Sequence, residues 1–385
     1  MILIATESEG TMPESMRAAV LTAPGTDLVV EDIVMPRPSV GEVLVRVAAC
    51  GVCHTDLHVM KGDIPFPCPC VMGHEISGTI VELGGGVEGL AVGDRIASAF
   101  IMPCGTCRFC VRGRDDLCEK FFALNRGKGV LYDGTTRLAR ADGTPLAMYS
   151  MAGLAEYSVV PASDAFVLPD TVDHTEAAVI GCSLFTAYGA VRHGADLRHR
   201  DTVAVYGVGG IGLNVVQLAA ALGAAQVIAV DLADDKLAAA AALGATHTVN
   251  GSTADAPAAI RELTGGEGVD LAFEAVGHPV SFEQAVMSVR DGGRMVAIGL
   301  ANTGTKASIG ITHIVRRGIT IVGSYGARTR TDMPELVRLV GSGAVRLDGV
   351  ITERVTLDDA GATYARLDRG EIVGRAVVVM DTAQR

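Results

Sequence analysis

The chain has 385 residues, 44 of them acidic and 32 basic, for a formal net charge of −12, and 49% of its residues are hydrophobic against 20% charged. At about 100–200 residues per domain, this length holds two or three domains. The acidity disfavours a nucleic-acid scaffold, which would rest on cationic contacts to phosphate; the apolar content excludes general disorder, and no apolar run approaches the roughly 20 residues of a bilayer-spanning helix. A soluble, cytoplasmic protein with neither a membrane nor a nucleic-acid partner is expected.

The first 15 residues carry Glu7, Glu9 and Glu14 and no basic residue, which does not fit a secretory signal. They read as a mobile leader before a first strand at residues 16–21. Eight of the nine cysteines then fall between positions 50 and 118. An odd total in a chain without an export signal argues against a disulfide framework and for metal binding.

One candidate metal constellation is dispersed. It begins with Gly51-Val-Cys53-His54-Thr55-Asp56-Leu57-His58, continues with Gly73-His74-Glu75, and can close with Cys182 in the apolar stretch 180–186. Two thiolates and one imidazole would leave the fourth position of a zinc ion for water or substrate, as catalytic sites require. Spacing alone leaves Cys182 open between a ligand and a buried core thiol.

The second constellation is compact. Cys104, Cys107 and Cys110 are spaced by three residues on a loop with Gly105 and Gly113, and Cys118 completes a set of four. Four thiolates with no open position describe a structural zinc site. An iron–sulfur cluster would place a Cys-Pro after a gap of three; here the gap before Cys118 is seven and Glu119 follows, so zinc is preferred. Cys50, Cys68 and Cys70 receive no role; Cys68-Pro-Cys70 reads as barrel packing or an oxidisable pair near the metal.

Residues 202–206 (TVAVY) read as a buried parallel strand, followed by Gly207-Val-Gly209-Gly210-Ile211-Gly212 and an apolar helix over 213–222. Glycines between a strand and a helix permit a tight turn and close approach of a pyrophosphate to the helix N-terminus. The next strand, 226–230, ends in Asp231, 19 residues beyond Gly212. A carboxylate there accepts from the ribose hydroxyls and repels a 2′-phosphate, selecting NAD over NADP; it could also cap the helix over 234–243. Lys236 reads either as a second ribose contact or as a solvated helix lysine. Runs at 269–274, 294–300 and 319–323 read as further strands and 283–289 as a helix, giving about six strands in a doubly wound sheet.

On these motifs the chain resembles the zinc-containing medium-chain alcohol dehydrogenases from about residue 16 to its end. Gly73-His74-Glu75, Val92-Gly93-Asp94-Arg95, the four-cysteine loop and the Gly207–Gly212 turn carry the likeness. The resemblance implies an α/β protein. A GroES-like β-barrel catalytic domain would span 1–183 with 326–385, and a doubly wound Rossmann domain 184–325. It implies Cys53, His74 and Cys182 as catalytic zinc ligands and Cys104, Cys107, Cys110 and Cys118 as the structural set, hence two zinc ions per chain, with NAD. It further implies Asp56 as the carboxylate orienting His74 and Glu75 as the acid behind the metal. Thr55 and His58 would form a proton relay, although His58 also reads as a loop histidine. Thr186, Ile211 and Val276 would pack on the cofactor and Arg375 would hold its pyrophosphate. His54 replaces the arginine many members place on that pyrophosphate, a weaker anchor when neutral. Leu57, Phe100, Leu131 and Leu300 are implied as pocket walls.

The 64-residue gap from Cys118 to Cys182, with an extra segment around 124–150, resembles the dimeric branch, so a homodimer is expected. The implied reaction is reversible oxidation of an apolar aliphatic, allylic or aromatic alcohol. Glutathione-dependent formaldehyde dehydrogenases share the length but usually carry an arginine just after the last structural cysteine; here Phe121 and Phe122 follow Cys118-Glu119-Lys120. That activity and a non-catalytic zinc and nucleotide binder are the alternatives.

Overall fold

The computed structural model describes residues 14–302 and 304–380. The expected leader falls almost wholly outside them, and the first strand, Ser15–Leu21, begins within one residue of its expected start.

The glycine turn sits in a six-stranded parallel sheet, ordered in space as His247–Asn250, Gln226–Asp231, Thr202–Tyr206, Val269–Glu274, Val289–Ala297 and Thr320–Gly323. Chain direction reverses its progress across the sheet at Thr202–Tyr206, so the crevice at that strand's carboxyl end lies at the switch point where dinucleotides bind. The central strands are buried on both faces because side chains alternate across the pleat. Val203, Val205, Val227, Ala229, Leu271 and Phe273 join the large core shared with the barrel strands. Ala204, Tyr206, Ile228, Val230 and Ala272 join a second core on the opposite face.

Two details differ from the sequence reading. The helix expected over 283–289 runs Pro279–Ser288, because the His278 side chain accepts from Val280 N–H and Pro279 occupies the first turn. The strand expected at 294–300 runs Val289–Ala297, pairing Val269 with Val289 across an irregularity at Asp291–Gly293 that turn-forming residues conceal from pattern reading.

The remaining strands form two antiparallel-rich sheets. Strand Glu42–Gly51 pairs Ile76–Leu83 along its length, Tyr157–Pro161 over its first half and Arg375–Val379 over its last residues. The C-terminal strand therefore returns to the start of the chain, setting Val377 opposite Gly51 and bringing Arg375 beside Val52. No helix among the described residues is long and apolar enough to cross a membrane.

Phe273 is fully buried at the centre of the parallel sheet. Phe273→Ala is expected to cost about 3–5 kcal/mol, measured by urea unfolding; a loss below 1 kcal/mol would mean that this face is not the packed core described.

Candidate metal and dinucleotide site

Cys53 ends the loop after Glu42–Gly51 and is the extended residue before helix His54–Lys61. Its thiol is held well below the ordinary value against burial, foremost by a hydrogen bond from Cys182 and then by Arg375 and His74. Gly73, at φ +94°, makes the turn that presents His74; a Cβ there would lie 2.6 Å from Leu154 N. Cys182 comes from the buried turn Ile180–Leu184.

These three segments converge. Cys53 Sγ lies 4.0 Å from Cys182 Sγ, and Cys182 Sγ lies 3.5 Å from His74 Nε2. A tetrahedral zinc with bonds of about 2.3 Å to sulfur and 2.0–2.1 Å to nitrogen would set those separations at roughly 3.8 and 3.6 Å. The donor set fits zinc in both type and spacing.

His74 Nδ1 donates to Asp56 Oδ1 at 2.9 Å, directing Nε2 at the thiols. Asp56 is fully buried. It also accepts from Gly73 N at 3.3 Å and from the Tyr364 hydroxyl at 2.9 Å. Burial opposes charge on His74, but Asp56 and Cys53 raise it to about 10. Glu75 stands behind the cluster, its Oε1 4.0 Å from His74 Nε2 and 2.9 Å from Arg375 Nη1. Burial, with Cys53 nearby, raises Glu75 to about 7 against the pull of Arg375.

Arg375 links this cluster to the glycine turn. It bonds Val52 O at 2.9 Å, and its Nε and Cδ occupy the space a Cβ on Gly210 would need. Nε is buried with no acceptor among the described residues. An orphaned cationic nitrogen beside a helix N-terminus suits a pyrophosphate. Gly212 cannot carry a side chain, since its Cβ would lie 1.9 Å from Gly207 O. Gly209 is open, and Val276, half exposed, crosses above Gly207.

Asp231 closes strand Gln226–Asp231; its carboxylate accepts from Val208 N at 2.9 Å and Leu232 N at 2.8 Å. It therefore fixes the glycine turn and also accepts from Ala233 N at 3.2 Å, the residue that opens the following helix. His54 is exposed in the first turn of its helix. Partial desolvation, then Arg375, His58 and Lys236, hold it below the ordinary imidazole value against Cys53, so Lys236 and His54 face a common region. Thr186 is buried next to Phe185, and Ile211 packs on the core.

Thr55 Oγ1 is 3.6 Å from Cys53 Sγ. His58, three residues along the same helix, bonds Asp63 Oδ2 through Nδ1 at 3.1 Å. Phe100 meets His74 edge-on at 6.0 Å, Phe185 at 5.7 Å and Tyr325 at 5.4 Å. Leu57 is buried beneath the helix. Leu131 is fully buried in a turn closed by its bond to Thr135. Leu300 is partly exposed on a cavity of about 450 Å³ that Tyr325 and Arg328 also line.

The four thiols of Cys104, Cys107, Cys110 and Cys118 all lie within 4.8 Å of one another. Burial opposes the Cys107 thiolate, but backbone N–H groups of Cys110, Glu119 and Phe109 bring it down to about 6. Arg330 clamps this lobe, bonding Asp115 Oδ1 and Cys110 O at 2.7 Å each. The three leftover cysteines stay apart from both clusters. Cys50 is buried under the Gly73 turn, and Cys68 Sγ lies 3.8 Å from Cys70 Sγ.

Sequence reasoning missed Tyr364, Asp63, the Arg330–Asp115 clamp and the aromatic wall of Tyr149 and Tyr325. Asp63 follows His58 by five residues and was accessible as a local carboxylate. The others act across more than 70 residues of chain and left no local signal.

A sheet with this strand order, a glycine turn at its switch point and a Cys₂His cluster beside it define a zinc- and nicotinamide-dependent oxidoreductase. Family models for an alcohol dehydrogenase GroES-like domain and a zinc-binding dehydrogenase match residues 39–170 and 210–342. An alcohol dehydrogenase of Geobacillus stearothermophilus is 36% identical over 366 residues, covering 94% of this chain and 98% of its own. S-(hydroxymethyl)glutathione dehydrogenase of Komagataella pastoris is 35% identical, covering 94% and 97%. The crystal structure of benzyl alcohol dehydrogenase from Acinetobacter calcoaceticus superposes with a TM-score of 0.89 at 29% identity, covering 96% and 100%. The chain belongs to the zinc-containing medium-chain alcohol dehydrogenase family.

Two substitutions separate the clusters. Cys53→Ser is expected to abolish turnover and remove one zinc by elemental analysis while leaving the melting temperature nearly unchanged. Cys107→Ser should cost on the order of several kcal/mol of stability, and identical behaviour of the two variants would mean that the roles were assigned wrongly. Tyr364→Phe removes one bond to Asp56 and should weaken zinc binding at the Cys53 cluster roughly 10-fold, measured by competition with a chromophoric chelator; unchanged affinity would remove Tyr364 from the support of His74.

Proposed function

We propose that the protein oxidises, reversibly, an alcohol with an apolar aliphatic, allylic or aromatic body by hydride transfer to NAD. The observation that carries this reading is the Cys53–His74–Cys182 cluster standing beside the glycine turn, with Arg375 in contact with both. Cys53, His74 and Cys182 would hold the catalytic zinc and the Cys104–Cys118 loop a structural one. Bound zinc supplies Lewis-acid polarisation that brings the alcohol pKa towards neutrality.

The protein's own groups do the rest. Asp56, fixed by Tyr364, keeps the proton of His74 on Nδ1. Thr55, beside Cys53, would relay the proton, giving up its own hydroxyl proton as it takes that of the substrate. His58 is the group that would deliver the proton to solvent, with Asp63 bonding Nδ1 and so orienting the ring. Glu75 and Arg375 hold the polar floor of the site. Arg375 Nε and His54 would hold the pyrophosphate at Gly207, Gly209, Gly210, Ile211 and Gly212. Asp231 and Lys236 would hold the ribose, and Thr186 and Val276 would pack on the cofactor rings. Phe100 and Leu57 wall the substrate near the metal, with Leu131 and Leu300 farther out.

The chain divides into a catalytic part, 1–183 with 326–385, and a cofactor part, 184–325; strand Arg375–Val379 joining the barrel sheet supports this boundary. We also propose a cytoplasmic homodimer. Strand Thr320–Gly323 is a sheet edge, and the adjoining helix Ile311–Arg317 buries no residue and exposes Ile311 and Val315. Such an apolar edge suits pairing with a second copy.

Reduction of NAD followed at 340 nm (the absorbance of the reduced nicotinamide) with benzyl alcohol, geraniol and ethanol tests the reading. Absence of turnover with every alcohol would overturn it, and turnover only with formaldehyde plus glutathione would replace it with the glutathione-linked reaction. Asp231→Asn should raise the kcat/KM ratio of NADP to NAD by roughly 10-fold or more, about 1.4 kcal/mol; an unchanged ratio would remove Asp231 from cofactor selection.

A further inference from the structure

Arg126 is a cation with no described anion or acceptor. It ends the wide helical turn Phe121–Arg126, eight residues after Cys118. Its Nε, Nη1 and Nη2 are all buried, and none has a hydrogen-bond partner among the described residues. Asp56 acts on it only through space.

Its surroundings are aromatic. The guanidinium carbon lies 3.9 Å from the ring centre of Tyr149, 5.1 Å from Phe121 and 5.8 Å from Phe100. Ring faces offset part of the cost of burying a cation. They cannot accept from the five N–H groups, which lie in the guanidinium plane and form a fork shaped for an oxyanion.

The position of this fork relative to the metal is fixed by the same rings. Tyr149 packs edgewise on His74 at 5.7 Å between centres, and Phe100 does so at 6.0 Å. Arg126 is therefore one aromatic layer from the His74 imidazole, on the side of the Phe100–Tyr325 wall. A buried donor array left unmatched is destabilising, and such arrays are matched by a bound partner where the fold supplies none.

We propose that Arg126 binds a carboxylate carried by the substrate. The preferred alcohol or aldehyde is then an acid with an apolar body between its reacting carbon and its carboxylate. This rests on the dehydrogenase reading above and adds the charged end of the substrate to it. The selectivity follows from the buried fork: a neutral alcohol of the same shape leaves its five donors unmatched, whereas a carboxylate accepts two of them in parallel.

The test compares 4-(hydroxymethyl)benzoate with benzyl alcohol, and 6-hydroxyhexanoate with 1-hexanol, in the zinc-loaded enzyme with NAD. At least one acid should exceed its neutral partner in kcat/KM by about 10-fold or more, mainly through KM. Arg126→Met, which keeps the stem on the rings, should collapse that ratio to near one, and Arg126→Lys should give an intermediate ratio. Benzoate should raise the melting temperature of the wild-type protein and not that of Arg126→Met, a readout independent of turnover. The proposal is overturned by a wild type with no preference for either acid, by a ratio that survives Arg126→Met, or by equal stabilisation of both proteins by benzoate. If Arg126→Met loses zinc or fails to fold, the Arg126→Lys ratio decides: a value unchanged from wild type with both pairs counts against a fork. No NAD reduction with any of the four alcohols would overturn the dehydrogenase reading itself, a result distinct from turnover without acid preference.

Discussion

One buried carboxylate organises the catalytic end of the molecule. Asp56 takes hydrogen bonds from the His74 ring, the Gly73 amide and the Tyr364 hydroxyl. Leaving such a group without donors in an apolar interior would cost several kcal/mol, so the helix carrying it, the turn presenting His74 and the helix Ala360–Asp368 are held together. The orientation of His74, and hence a site for zinc between it and the two thiols, depends on that constraint.

The second link runs across the cleft. Arg375 is reached only because the C-terminal strand folds back beside Gly51, and its guanidinium then joins Glu75 to the first turn of helix Gly210–Ala221. Buried ion pairs are weak sources of stability because both charges lose water. Here the pair gives registry: it holds the cysteine–histidine cluster and the glycine turn at a fixed separation. Glu75, raised by burial and restrained by Arg375, is the softest charge in the cluster.

The aromatic wall has two faces with different chemistry. Towards His74, Phe100 and Tyr149 pack edge-to-face with the imidazole. Away from it, Tyr149 and Phe121 offer ring faces to Arg126. Of the pair Phe121–Phe122, which in the sequence points to an apolar substrate, Phe121 thus faces a cation five residues further on.

Local chemistry made much of this legible in the chain itself. Strands Thr202–Tyr206 and Val269–Glu274 were legible at their observed bounds, because central parallel strands buried on both faces are rich in apolar residues. The four-cysteine loop and the glycine turn were equally readable, since each packs its function into a dozen or so consecutive residues whose spacing is itself the geometry. Cys182 was ambiguous for the opposite reason: one thiol in an apolar stretch has the same pattern whether it packs or ligates, and only its placement 3.5 Å from His74 distinguishes the two. Tyr364, Arg330 and Arg126 lay beyond sequence reading altogether. Their roles come from what is, or is not, within hydrogen-bond reach once distant segments are packed together, and composition and period carry no record of that distance.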